Sequence, residues 1–143
     1  MENSLAKLNE DTKPTWGILT PQHMVEHLTL FTDMGIGKVE VKEILTPADK
    51  IERIQESLYT YQPMMKNFDH PILRKGKTED LKHPDLATAK AELLASFQAY
   101  EDYYKEHPEN THPNPIFGEL DKEMWNLINR KHVDHHFGQF GIR

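Results

Sequence analysis

The sequence predicts an all-α protein: a four-helix bundle with a short N-terminal helix and a long crossover connection. Three observations carry this. Apolar residues recur at three- and four-residue spacings in four sizeable segments. Thr, Asp and Pro mark where those segments start, and no segment alternates strictly enough to be a half-buried strand. The 143 residues suit a single domain over residues 1–143, large enough to hold a core without disulfides or structural metal.

In chain order, residues 3–8 read as a short helix, and Trp16 and Gly17 end the entry segment. Thr20 followed by Pro21 is a helix start, an N-cap hydroxyl with proline at the first helical position. That helix runs through QHMVEHLTLFTDM and stops at Gly35. Thr46-Pro47 repeats the signal, and Ile51, Ile54, Leu58 and Tyr61 form one stripe before Pro63. Residues 63–84 carry prolines, a glycine and little periodicity, so a long connection is expected there. Asp85 opens the longest helix, with Leu86, Ala89, Leu93, Phe97, Tyr100 and Tyr104 facing inward and an end near His107-Pro108. A proline-rich loop, HPENTHPNPIFG, precedes a helix capped by Asp121 that reaches Gln139, with Gly141 beyond it. Residues 38–44 are the one weak strand candidate.

Composition excludes several function classes. The chain has no cysteine, hence no disulfide, thiolate ligand or cysteine nucleophile. Its net charge is −6 without a basic patch, so no nucleic-acid partner is expected. Mean hydropathy is −0.72 and no run approaches a membrane span, so neither a membrane partner nor a membrane anchor is expected. The N-terminal residues lack the apolar stretch of a secretory signal, which makes the cytoplasm the expected compartment. What stands out is nine histidines.

Histidine is informative only where it converges. On a wheel of ~100° per residue centred on His132, Trp125, Ile128, His136 and Gln139 fall within roughly 40°. Arg130, Lys131 and Asp134 point away. His132 and His136 therefore share the stripe of large apolar residues, at the i, i+4 spacing that lets two imidazoles reach one ion. Two imidazoles buried together carry a desolvation cost unless their nitrogens are satisfied, and a metal ion satisfies them. His135 sits at the stripe's edge as a flanking residue. Centred on His27, the same test places Phe31 and Met34 within roughly 40°, with Glu26, Thr29, Thr32 and Asp33 outward. His27 is thus the expected third ligand, from a second helix, and His23 a rim residue. Gln139, one turn below His136, is placed to orient a ligand or contact substrate. His70, His83, His107 and His112 lie beside prolines and read as solvated loop residues.

Three imidazoles leave a coordination position open, the pattern of catalytic rather than structural zinc. Such an ion lowers the pKa of bound water towards ~7, polarises carbonyls and stabilises a thiolate. Imidazole donors suit zinc, nickel, copper or iron. There is no HExxH glutamate, since Val133 follows His132, and no general acid or base is identifiable.

The segments WGILTPQHMVEHL at 16–28, PIFGEL with Trp125 at 115–125, and KHVDHHFGQFG at 131–141 resemble the DinB-like (DinB/YfiT-like) metalloenzyme superfamily, and more closely a branch described only as a domain of unknown function. The resemblance implies a four-helix bundle and a three-histidine metal site matching His27, His132 and His136. Zinc or nickel is the expected metal, and a small molecule the expected substrate. The activities the resemblance suggests are a metal-dependent hydrolase or a transferase using a low-molecular-weight thiol, in a homodimer. Where the branch usually has His-Pro, this chain has Asn114-Pro115. Two readings stand beside the enzyme: a non-catalytic bundle that binds metal or a small ligand, and a metal-free interaction protein whose histidines fill the core.

Overall fold

A computed structural model describes residues 1–66 and 78–143. The order is α1 (Glu2–Ala6), α2 (Pro21–Met34), α3 (Ala48–Glu56) running into a 3₁₀ turn (Ser57–Tyr59), α4 (Leu86–Glu106), β1 (His112–Asn114), β2 (Gly118–Leu120) and α5 (Lys122–Gln139). The protein is mostly helical with one small two-stranded antiparallel sheet.

Two of the three expected caps form, and Asp85 adds another. The Thr20 side chain accepts from the His23 N–H with Pro21 at the first helical position, Asp85 accepts from Thr88, and Asp121 accepts from Met124. Thr46 does not cap α3. Its hydroxyl donates to the Ile116 carbonyl, 2.6 Å away, and Pro47 takes the cap position without a side-chain bond. The stripe of α3 also ends early: the 3₁₀ turn buries Leu58, whereas Tyr61 lies fully exposed beyond it.

Two further expectations are corrected. The proline-rich loop contains β1 and β2, paired His112 with Leu120, Pro113 with Glu119 and Asn114 with Gly118. Strands of three residues are too short to show alternation, which is why the sequence does not announce them. Residues 38–44 form no strand. The connection at 63–84 is without helix or strand in its described parts; His70 lies outside the described residues. Its return is pinned on α2, where Gln22 donates to the His83 carbonyl and Glu26 accepts from the Lys82 N–H.

α2 packs mainly on α4 and also on α5. It is covered on more than one side, so Thr29 and Thr32 are buried rather than outward, their hydroxyls bonded to the Val25 and Leu28 carbonyls of the preceding turn. Gly35 ends α2 in right-handed conformation, and its value is its missing side chain: a Cβ there would press on Trp125 and Tyr100 at 3.1 Å.

The apolar interior falls into two clusters. One gathers Leu5, Leu8, Met24, Val25, Leu28, Leu86, Ala89, Leu93, Phe137, Phe140 and Ile142. The other gathers Phe31, Met34, Ile36, Leu58, Tyr100, Tyr104, Leu120, Trp125 and Ile128. Along α2 the change of cluster falls between Leu28 and Phe31, and along α5 between Ile128 and Phe137. His27 lies one residue before the first of these junctions, and His132 and His136 lie within the second.

Asp121 starts the helix that carries two of these histidines. Asp121→Ala is expected to cost about 1 kcal/mol, read in a thermal melt as a Tm lowered by roughly 2–4 °C.

Candidate metal centre

The two junctions face each other. His27 Nε2 lies 2.9 Å from His132 Nε2, and His132 Nε2 lies 3.2 Å from His136 Nε2. The three donor atoms all fall within 4.8 Å of one another. The rings meet edge to face, with centroids 4.7–5.0 Å apart. The Phe31 ring packs on both helices' histidines, 4.8 Å from His27 and 5.1 Å from His132. His132 and His136 are buried, and His27 is partly so.

Gln139 fixes the state of His136. Its amide nitrogen donates to the Trp16 carbonyl at 2.8 Å, so its oxygen is the atom turned to His136 Nδ1, also at 2.8 Å. An amide oxygen only accepts, so Nδ1 carries the hydrogen. Burial pushes the His136 pKa down to about 4, against the opposing effect of the Gln139 bond, so the ring is neutral at pH 7. A neutral ring with its hydrogen on Nδ1 presents a lone pair at Nε2, the form a metal requires.

That lone pair tests whether a metal fits. A ring nitrogen has one in-plane site, filled by a hydrogen or by a lone pair. If His132 Nε2 carries a hydrogen, it can point at His136 or at His27 but not at both. If it carries a lone pair, that pair faces the lone pair of His136 at 3.2 Å. A cation shared by the three nitrogens removes the conflict. At ~2.1 Å per bond, nitrogens of a tetrahedral centre stand ~3.4 Å apart, against 2.9 and 3.2 Å for the two pairs that His132 makes.

The entry segment holds Gln139 in turn. Thr15 donates to the Gln139 carbonyl through its N–H at 2.8 Å and its hydroxyl at 3.1 Å. Gly17 adopts φ +79°, and a Cβ on it would lie 2.9 Å from the Gln139 amide nitrogen. Gly17 is thus required for both its left-handed backbone and its close approach. By local pattern Trp16 and Gly17 do no more than end a segment. Their role beside Gln139 depends on a contact spanning 123 residues, which local pattern does not encode.

The other candidates lie apart from the three. His23 Nδ1 is 2.6 Å from the Thr20 hydroxyl at the start of α2. His135 is half-buried, edge-on to Trp16 at 5.6 Å and to His136 at 5.0 Å, and burial lowers its pKa. His112 is not a solvated loop residue: it sits in β1, 2.6 Å from the Tyr103 hydroxyl, and its carbonyl accepts from the Trp125 indole. Lys131 is turned to the 3₁₀ turn rather than to open solvent, donating to the carbonyls of Ser57, Thr60 and Gln62. Among the described residues, no other group of three His, Asp or Glu side chains converges in this way.

Fold and centre together define a helical protein with a buried three-histidine cluster able to hold a metal ion. The chain belongs to the family described as "Protein of unknown function (DUF1569)", whose model matches residues 23–142. No curated protein and no solved structure matches it.

Two outcomes follow. Gln139→Ala is expected to weaken metal binding roughly 10–100-fold while the fold persists, measured by competition with a chromogenic chelator. For metal-free protein the sign follows from His136. Its pKa is lower folded than unfolded, so the unfolded state takes up the proton first, and stability is lost as pH falls from about 6.5 towards 4. The destabilisation caused by His136→Asn, read by urea titration, should therefore shrink by roughly 3 kcal/mol between pH 7 and pH 4.

Proposed function

We propose that this chain binds one divalent metal ion, zinc or nickel, through His27, His132 and His136. With it the chain acts as a metal-dependent hydrolase or a low-molecular-weight-thiol-dependent transferase on a small molecule. The observation that carries the reading is the convergence of three Nε2 atoms, with separations of 2.9 and 3.2 Å, around a His136 whose hydrogen is fixed on its other nitrogen. The finer architecture belongs to the same proposal: a four-helix bundle of the DinB-like kind, working as a homodimer.

The catalytic reading is favoured over a closed storage or structural site by what surrounds the cluster. His135 and His23, the two candidates for a fourth ligand, are engaged with Trp16 and Thr20. A cavity lined by His27 and His132 adjoins the centre, giving a small molecule access to it. A divalent ion held there would supply Lewis-acid activation of a carbonyl and acidify a water or thiol. The protein's part is to keep His136 neutral through burial, orient it through Gln139, and shield one side of the cluster with Phe31.

Untagged protein is expected to carry close to one zinc or nickel per chain by elemental analysis, and His132→Ala or His136→Ala to carry almost none. Chelation should lower Tm in the unmodified protein, since an ion bound only by the folded state at ~100 times its Kd contributes about 2.7 kcal/mol. Substoichiometric metal after zinc and nickel are added back, or a Tm indifferent to chelator, rejects the reading.

A further inference from the structure

The cavity beside the centre has a volume of about 330 Å³, at the lower end of the roughly 300–1,000 Å³ typical of small-molecule sites. Its described walls are largely apolar, with Phe31, Ile54, Leu58, Met64, Ile116 and Phe117 among them. The polar groups in those walls are mostly committed to the protein. Ser57 donates to the Ile54 carbonyl and Thr60 to the Ser57 carbonyl. The Lys131 ammonium has three hydrogens and places them on three carbonyls at 2.8–3.2 Å. No carboxylate appears among the described lining residues. An anion entering the cavity finds no uncommitted ammonium hydrogen, and a cation finds no counter-charge.

Asn114 differs. It lines the cavity, is 3 % exposed, and its Oδ1 accepts from the backbone N–H of both Ile116 and Phe117, at 2.9 and 3.1 Å. Those two bonds fix which end of the amide faces the turn. The amide nitrogen, with two hydrogens, has no acceptor among the described residues. The nitrogen is not fully enclosed, so its hydrogens are open to a ligand acceptor in the cavity. The surroundings let the donor persist: β1 and β2 hold Asn114 from its backbone, and α3 grips the hairpin through Gln55, whose amide donates to the Phe117 and Glu119 carbonyls.

We infer that this cavity takes a small, uncharged molecule with an apolar body and one carbonyl-type oxygen, bound by the side-chain amide of Asn114. The inference rests on the proposed metal centre for what is then done to the ligand, and not for the binding itself. Asn114 is here a specificity residue: a neutral donor that cannot charge, in a site with no free charge of its own.

The test uses four molecules of matched shape: benzamide, toluene, benzoate and the benzylammonium ion. Binding to the full chain is measured by calorimetry or ligand-observed NMR, in metal-stripped and zinc-loaded protein. In the metal-stripped protein benzamide is expected to bind at least ~10-fold more tightly than the other three. Asn114→Asp keeps an oxygen for the Ile116 and Phe117 N–H groups but removes the donor. It should cost benzamide at least ~10-fold and leave zinc stoichiometry unchanged. Equal binding of toluene and benzamide, a preference for either ion, no binding of benzamide, or an indifferent Asn114→Asp overturns the inference. If the variant does not fold, the four-ligand comparison on the unmodified chain decides. Zinc content of the same samples separates the two readings. Selectivity for benzamide without zinc uptake retains this inference and removes the metal, whereas zinc uptake without selectivity does the reverse.

Discussion

Three imidazoles placed where two apolar clusters meet constrain the rest of this molecule. A buried imidazole is stable only when neutral and only when its nitrogens are occupied. His136 meets the first condition by burial, which holds its pKa near 4, and half of the second through the Gln139 oxygen. The Nε2 atoms of the trio then have one another at 2.9 and 3.2 Å, an arrangement no single set of hydrogens satisfies in full. The cluster is therefore a place of unresolved polarity inside a packed interior, which a cation could relieve.

The parts of the chain that look least regular are the ones that hold this arrangement. The entry segment gives Gln139 the Trp16 carbonyl as an acceptor and uses Gly17 to approach it. The hairpin receives the Trp125 indole through the His112 carbonyl and is tied to α3 and its preceding loop through Gln55, Thr46 and Leu45. Lys131, one residue before His132, binds the carbonyls that end α3, so the wall of the cavity and the histidine helix are fastened together. The helices supply the ligating nitrogens, and loops and hairpin set the surroundings that decide which hydrogens and which ligands the nitrogens meet.

How much of this was legible from sequence depends on the range of the interaction. The helix starts at Thr20, Asp85 and Asp121 are decided by a side chain reaching an N–H three residues on, so they could be read directly. Thr46 shows the limit of that reading: in this second Thr-Pro pair the hydroxyl donates to the Ile116 carbonyl instead. Thr29 and Thr32 were assigned outward because a wheel assumes one buried face, and α2 has more than one. The hairpin escaped because its strands are three residues long.

The candidate site divides the same way. Helical periodicity by itself put His132, His136 and Gln139 on one stripe of α5 and His27 on the stripe of α2, because 3.6 residues per turn relates neighbours on a face without reference to the rest of the fold. Only the tertiary structure decided that the two stripes meet nitrogen to nitrogen, that Gln139 turns its oxygen to His136, that His135 and His23 are engaged elsewhere, and that Asn114 stands in a cavity wall. Apart from His23, which bonds to Thr20 three residues away, these depend on residues dozens of positions apart being brought into contact, and that is set by how the whole interior packs rather than by any local pattern.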